Sequence, residues 1–286
     1  MSRFIRLDIE LTDKTAPKVP TIDPIETDGS IFLWDAAIAS LEAVPANGVH
    51  MANQLLDLGQ ATTGTDTYFF ATSNPSTPAA SLFTEVTAKG GIHVLPSQVN
   101  QTGSNEAWRM ASNSNLTAWL NSHPDKSLYV SVWRRITRAK VAGKISSTFH
   151  QAMNTTNYRW HMQGGTRLYP ETITELRSTP AGSDELSSNV GQPSIRNGRV
   201  DGSQGTGVTS VSYPVELGSG TFGAWAGTAL NSSPGMVIYR LYLEDLDQSG
   251  RTYEEVDAID YALFQAAFAE GGKFHGDTWT DPATFP

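Results

Sequence analysis

Apolar and polar residues alternate along most of the chain, and turn-forming residues separate the alternating segments. The clearest segment, 128–137, has large side chains on both of its faces: Leu128, Val130, Val132 and Ile136 on one, and Tyr129, Ser131, Trp133 and Arg135 on the other. Such a strand is expected at the centre of a two-layer sheet structure. Shorter strands are predicted at 67–71, 91–95, 158–162, 208–213, 221–225 and 236–245. This arrangement is typical of a sandwich, barrel or jelly roll.

One segment near the C-terminus has the period of a helix. Thr252 and Glu255 have the spacing of a capping box, and an apolar stripe then precedes the glycine pair 271–272; the stripe consists of Val256, Ile259, Leu263 and Phe268. We therefore expect one amphipathic helix docked on a β body. The Ala-rich stretch 31–41 fits a strand or a helical turn, and its pattern leaves that choice open.

The N-terminal segment differs from the rest of the chain. Its first eleven residues alternate, with Ile5, Leu7, Ile9 and Leu11 on one face and Arg6, Asp8 and Glu10 on the other. Three prolines follow within 12–29. We interpret 1–29 as an arm and Pro-rich linker that packs on another subunit, and 30–286 as the body.

Composition excludes several classes of protein. The chain has 286 residues, 39% of them hydrophobic, which is enough for a substantial core. Its net charge of −9 argues against nucleic acid as a partner. It contains no apolar run of membrane-spanning length and no signal-peptide core, so we expect no membrane insertion and no secretion signal. The absence of cysteine excludes disulfides and thiolate chemistry.

Three stretches of the C-terminal half carry a resemblance to a known family. They are 114–120, 127–138 and 237–246, the last leading into the polar turn and acidic helix start at 249–256. In type and order they resemble the concanavalin A-like, laminin-G-like jelly rolls of bacteriophage tail and fibre proteins, over about residues 60–270. The resemblance implies a jelly roll. The predicted fold is therefore an all-β jelly-roll β-sandwich with a C-terminal helix and an extended N-terminal arm, the arm lying outside the resemblance. The resemblance also implies a virion component made in the host cytoplasm.

The acidic residues at the end of the last predicted strand are the first candidates for chemistry. Glu244, Asp245 and Asp247 lack the alternation that would put several carboxylates on one strand face, as jelly-roll glucanases have. We interpret them as a solvated strand end. Residues 245–250 match the first half of a calcium loop, but Val256 occupies the position of its closing carboxylate. A structural turn and helix cap is therefore favoured over a bound cation.

Other polar motifs give little support to catalysis or cofactor binding. The six histidines, 50, 93, 123, 150, 161 and 275, show no metal-ligand spacing and no local triad pattern. The Gly-rich stretch 202–207 lacks the ending of a phosphate loop, so no cofactor is expected. The basic run 134–144 places Arg134 and Arg135 on opposite strand faces, which favours a structural or interface role over ligand binding.

One aromatic residue is a candidate for ligand binding. Trp225 lies among small residues, between Gly223–Ala224 and Ala226–Gly227, where its ring could meet a sugar face. The sequence thus predicts a non-enzymatic structural component of a phage virion, in a tail fibre or baseplate. It would form a homo-oligomer with other virion subunits, and recognition of host-surface polysaccharide stays open as a further role. The alternatives are a free carbohydrate-binding lectin module and, less favoured, a glycan hydrolase.

Overall fold

A computed structural model describes residues 23–74, 76–144, 146–152, 158–164, 168–169, 176–177, 189–200, 215–222 and 229–286. Its strands form two antiparallel sheets. Sheet I has the order β11 (Leu176–Arg177), β12 (Pro193–Val200), β7 (Leu128–Arg138), β14 (Gly235–Asp245), β5 (Ile92–Pro96), β4 (Leu82–Val86), with β1 (Ser30–Asp35) also on β14. Sheet II has the order β10 (Leu168–Tyr169), β9 (Tyr158–Gly164), β8 (Ser146–Ala152), β13 (Val215–Gly220), β6 (Ala107–Ser112), β3 (Phe69–Ser73), β2 (His50–Met51).

The helices are short except for the last one. They are α1 (Ala36–Ala39), α2 (Leu56–Thr63), α3 (Ser114–Ser122), α4 (Leu246–Ser249) and α5 (Tyr253–Phe268), and a 3-10 turn covers Pro282–Thr284. Among the described residues, no helix has both the length and the apolar character needed to cross a bilayer.

The main core lies between the two sheets. Val130 and Leu241 of sheet I and Met110 and Leu217 of sheet II belong to the same buried apolar cluster. Each such side chain contributes about 1.5–3 kcal/mol when it is fully buried. The predicted fold class, an all-β jelly-roll sandwich, is confirmed. Of the predicted arm and linker at 1–29, residues 1–22 lie outside the described residues, and within 23–29 the side chain of Ile25 is buried in a cluster with Tyr129 and Tyr242 of sheet I.

The long strands β7 and β14 form the centre of sheet I and pair along most of their length. The alternation expected of β7 is confirmed, because Arg134 reaches Thr148 of sheet II whereas the ring of Trp133 lies on the opposite face, against the C-terminal helix. On that outer face Asp260 of α5 accepts hydrogen bonds from the Tyr129 hydroxyl at 2.8 Å and the Trp133 indole at 3.0 Å. Burial raises the pKa of Asp260.

Residues at both ends of the described chain cover the same outer face of sheet I. Asp23 pairs with the buried guanidinium of Arg240 at 2.7 Å, and Ile25 is fully buried beside it. Near the C-terminus, the ring of Phe274 packs 4.7 Å from that of Tyr239. With α5, these segments close one side of the sandwich.

Several local predictions differ from the structure. The chain has additional helices of eight and nine residues, α2 and α3, where one helix was expected. Both are short and lack a strong polar–apolar period, and α3 is stabilised by its Asn113 cap and the burial of Leu116. The predicted strand 221–225 is wrong at its start, because β13 ends at Gly220. Residues 208–213 lie outside the described chain. The stretch 31–41 is a strand followed by a helical turn.

Candidate functional site

The two outer faces of the sandwich differ in what covers them. In the described part of the chain, α1, α2, α4 and α5 all pack on strands of sheet I. The outer face of sheet II has no comparable helix cover among these residues. The residues at the centre of this face, Arg109 and Glu216 among them, are nevertheless buried, so the accessible part of sheet II lies at β2 and β3.

Strand register defines the side chains on that face. Phe69, Met110 and Leu217 point into the core, so their sequence neighbours point outward. The outward residues at the centre of the face are Phe70 and Thr72 of β3, Arg109 and Ala111 of β6, and Glu216 and Gly218 of β13. We call these six residues the sheet II site.

An ion pair occupies the centre of the sheet II site. The Nε atom of Arg109 donates to Oε1 of Glu216 at 2.6 Å, and both residues are at least nine-tenths buried. The guanidinium carbon lies 5.7 Å from the ring centre of Phe222. Glycine is required at 218, because a Cβ there would lie 2.5 Å from the Cβ of Arg109. The missing side chain lets β13 approach β6 beside the arginine.

Two polar atoms of the site have no hydrogen-bond partner. They are Nη1 of Arg109 and Oγ1 of Thr72, and both are buried. The two residues face each other in the register of β3 and β6. Among the side chains of β2, β3, β6 and β13, no other polar atom is in this state. An unsatisfied buried polar group costs about 1–3 kcal/mol, and such groups require an explanation in a native fold.

Aromatic side chains form one rim of the site. The imidazole of His50 stacks on the ring of Tyr68, with centroids 4.0 Å apart and planes 28° apart. His50 is exposed, and Tyr68, Phe70 and Thr72 are half-buried, so the rim is the accessible side. The register continues this row through Ala111 and Glu216 to the positions of His150 and His161 on β8 and β9.

The predicted ligand-binding residue, Trp225, lies outside the described residues, so its role stays a prediction. Sequence reasoning did not find the sheet II site, because its residues come from strands around positions 72, 109 and 216. The one available signal was the presence of a charged residue in each of two otherwise apolar or small segments, 107–112 and 215–220.

The acidic residues at the end of β14 are structural. The Asp245 side chain accepts from the backbone N–H groups of Asp247 and Gln248 and caps α4. Asp247 accepts from the Ser127 N–H at 2.8 Å. The favoured turn and helix cap is confirmed. The description of a solvated strand end is wrong, because Glu244 is fully buried and accepts a 2.9 Å hydrogen bond from Arg251.

The basic run is also structural. Arg134 points into the sandwich and donates to Thr148 Oγ1 at 2.7 Å, whereas the Arg135 guanidinium lies over the Trp279 ring at 5.2 Å. The two therefore occupy opposite faces, as the alternation predicts. Arg138 donates to the backbone carbonyl of Phe285 at 2.7 Å and helps to hold the C-terminal segment.

His93 joins two hydrogen-bond partners that are distant in sequence. Its Nδ1 lies 2.8 Å from Glu85 Oε1 and its Nε2 lies 2.9 Å from Thr137 Oγ1. The imidazole is fully buried, and burial lowers the pKa of His93 despite the Glu85 carboxylate. Glu85 also accepts from the N–H of Thr280 at 2.7 Å. This arrangement fastens the C-terminal segment to sheet I.

Among the described residues, no group of three or more histidine, aspartate or glutamate side chains is arranged to hold a metal ion. The absence of a resident cofactor stays a prediction.

No protein-family model and no curated protein sequence matches this chain. Solved structures with a similar chain path include Trypanosoma rangeli sialidase, at 9% identity and TM-score 0.41, matched over 84% of this chain and 34% of that one. Another, titled for the interaction of botulinum neurotoxin type C with two ganglioside molecules, has 8% identity and TM-score 0.42 over 84% and 52% of the two chains. A third is the CBM22-1 xylan-binding domain of Paenibacillus barcinonensis Xyn10C, at 7% identity and TM-score 0.28, over 76% and 94%. The chain matches about a third to a half of the length of the first two proteins. At these identities the likeness concerns the fold and not the ligands of those proteins.

Proposed function

We propose that this protein is a non-catalytic β-sandwich that binds polysaccharide at the sheet II site. The observation that carries the proposal is the accessible aromatic rim of the site, where the exposed imidazole of His50 stacks on the half-buried ring of Tyr68 with centroids 4.0 Å apart. Next to this rim, Thr72 and Arg109 each have a buried polar atom without a hydrogen-bond partner.

The chemistry of the site suits a sugar. A pyranose ring has an apolar C–H face and a rim of hydroxyls, each of which donates and accepts hydrogen bonds. Tyr68 and Phe70 supply aromatic surface, and Arg109 and Glu216 supply a charged donor next to a charged acceptor.

The distribution of carboxylates supports binding without cleavage. The seven strands of sheet II contain one acidic residue, Glu216. Hydrolysis of a glycosidic bond ordinarily uses two carboxyl groups about 5 to 10 Å apart. Glu216 is also held in an ion pair with Arg109.

The setting that we propose is a phage virion, with the protein as a homo-oligomeric subunit of a tail fibre or baseplate. This part of the proposal is supported by the alternating arm at 1–11, its Pro-rich linker and the resemblance of the C-terminal half. Sequencing the flanking genes tests it. Neighbours that encode tail or capsid proteins would support a virion role, and neighbours that encode polysaccharide-degrading enzymes would favour a free lectin module.

Affinity electrophoresis in polysaccharide-containing gels tests the binding site. Thr72→Val keeps the side-chain shape and removes one of the two polar atoms, and Thr84→Val on β4 is the matched control on sheet I. We expect Thr72→Val to reduce the affinity about tenfold, which corresponds to one hydrogen bond of about 1.4 kcal/mol. Thr84→Val should bind like the wild type.

Two outcomes would contradict the proposal. Equal retardation of the wild type and Thr72→Val would place the ligand elsewhere, and the absence of retardation in every polysaccharide would exclude binding. New reducing ends during incubation, lost in Glu216→Gln, would show that the protein is an enzyme.

A further inference from the structure

We infer that residues 277–286 form a strap on the outer face of sheet I, and that acidification releases this strap while the sandwich stays folded. The inference concerns sheet I and is independent of the proposed function. It rests on how the strap is attached, on a carboxylate that the strap shares with a buried histidine, and on the sign of the proton linkage.

The strap begins at a buried anchor. Asp277 is 5% exposed and accepts hydrogen bonds from the Tyr239 hydroxyl at 2.8 Å and from the backbone N–H of Lys89 at 2.8 Å. Just before it, the fully buried ring of Phe274 packs on Tyr239. These contacts fasten the start of the strap to β14 and to the turn between β4 and β5.

Beyond this anchor the strap buries little apolar surface. Every residue from 278 to 286 is exposed or half-buried, and its two aromatic residues, Trp279 and Phe285, are half-buried. The Arg135 guanidinium lies over the Trp279 ring, and the ring of Phe285 lies 6.0 Å from that of Phe83. Segments with few buried apolar contacts open locally at a smaller free-energy cost than global unfolding.

Glu85 joins the strap to the buried His93. Its Oε1 accepts from the Thr280 N–H at 2.7 Å and lies 2.8 Å from His93 Nδ1, and its Oε2 accepts from the Thr280 hydroxyl at 2.8 Å. The imidazole also lies 2.9 Å from Thr137 Oγ1, and its ring centre is 6.2 Å from that of Trp279. The strap thus covers the histidine and binds the same carboxylate.

Charged groups approach His93 from several elements. Burial is the largest effect and lowers the pKa of His93. Glu85 of β4 and Asp277 of the strap favour the imidazolium, whereas Arg138 of β7 opposes it. Arg135 lies on the same row of sheet I, two strands away in the register. The closed strap therefore favours a neutral imidazole.

Acid favours the open strap because opening allows protonation. When the strap lifts, water reaches His93 and its pKa returns toward the ordinary value of about 6.5. The open form then binds a proton that the closed form excludes, so the open population rises as the pH falls below that value.

Glu85 acts in the same direction at lower pH. Burial alone would raise the pKa of Glu85, but hydrogen bonds from His93 and Thr280 outweigh it and lower that pKa. Opening removes the two bonds from Thr280, so the open form also binds a proton at Glu85 more readily. Both groups therefore link release of the strap to acidification.

Hydrogen–deuterium exchange at about pH 7.5 and about pH 5.5 tests the strap directly. After correction for intrinsic exchange rates, protection of peptides within 278–286 should fall between about twofold and about tenfold. The upper bound is set by the binding of one proton with a pKa of about 6.5. Protection of β7 and β14 should stay constant.

His93→Gln identifies the proton. The glutamine amide supplies donor and acceptor atoms as the neutral imidazole does but does not titrate, so the fall in strap protection should disappear. Thr280→Val leaves His93 in place and removes one hydrogen bond to Glu85. It should lower strap protection at both pH values and keep the fall between them. His275→Gln, at an exposed position just before the strap, is the matched control variant.

Three results would overturn the inference. They are a change in strap protection of less than about twofold, an equal loss of protection in β7 and β14, and a fall in His93→Gln as large as in the wild type. A fall that is confined to the strap, absent from His93→Gln and kept in Thr280→Val supports it.

Discussion

Individual polar side chains in this protein divide into those with complete hydrogen bonding and those without it. Thr67 and Thr72 illustrate the difference. The buried hydroxyl of Thr67 donates to the carbonyl of Ile31 at 2.8 Å and accepts from the Asn53 amide at 3.0 Å. The hydroxyl of Thr72 has no partner. The Thr67 hydroxyl therefore stabilises the fold, whereas the unpaired Thr72 hydroxyl lowers its stability.

Substitution by valine should therefore have different effects at these two positions. Thr67→Val should lower the free energy of unfolding by about 1–3 kcal/mol, because it leaves a carbonyl and an amide with fewer partners. Thr72→Val should leave that free energy unchanged or raise it by up to about 1 kcal/mol. Urea denaturation measures both. A large destabilisation by Thr72→Val would mean that its hydroxyl has a structural partner.

His93 gives the fold a pH dependence of known sign. Because burial lowers the pKa of His93, the unfolded chain binds a proton there more readily than the folded one. Its stabilising contribution is complete above the ordinary histidine pKa of about 6.5 and is lost as the pH falls below that value. The melting temperature should drop from about pH 7.5 to about pH 5.5, and less steeply in His93→Gln.

His275→Gln removes a histidine at an exposed position and is the matched control variant. Glu85 adds a second pH-dependent contribution to stability, which is lost at lower pH than that of His93. Burial would raise the pKa of Glu85, but hydrogen bonds from His93 and Thr280 outweigh it and lower that pKa. This contribution is lost below about pH 4.5. Identical slopes of melting temperature against pH in the wild type and His93→Gln would contradict the pH dependence predicted for His93.

At the scale of single elements, the parts specified by local sequence were predictable. Helix α5 begins at a capping box in which Thr252 accepts from the Glu255 N–H and Glu255 accepts in return, as the spacing predicts. Strand β7 shows the expected two faces. Helices α2 and α3 were missed because their formation depends on packing against the sandwich and not on a strong local period.

The capping box should contribute measurably to the docking of α5. Thr252→Ala should lower the free energy of unfolding by about 1 kcal/mol, and Thr252→Ser should restore most of it, since serine caps equally well. Equilibrium denaturation with fluorescence detection checks both variants. Equal stability of the wild type and Thr252→Ala would show that the sheet contacts of α5 alone determine its position.

On the scale of the whole molecule, alternation and turn density were enough to predict the sandwich, but not the site. Thr72, Arg109 and Glu216 are separated by 37 and 107 residues, and only the pairing of β3, β6 and β13 brings them together. Register between distant strands is set by core packing over the entire sheet. No local motif records it.

Asp23 is the first described residue, and its ion pair with Arg240 contributes to the stability of the body. Burial would raise the pKa of Asp23, but the hydrogen bond and charge of Arg240 outweigh it and lower that pKa. Deletion of residues 2–22 should change the melting temperature by less than about 2 °C, whereas Asp23→Asn should lower it by several degrees. Calorimetry of the two variants decides this. A large loss in the deletion variant would show that the arm belongs to the body.

The central claim, that the outer face of sheet II binds polysaccharide, is tested most directly by hydrogen–deuterium exchange with and without a bound polysaccharide. We expect the ligand to slow exchange in peptides that cover β3, β6 and β13, with the outer face of sheet I unchanged. Protection confined to sheet I or to peptides that contain Trp225, with no change in these three strands, would contradict the account.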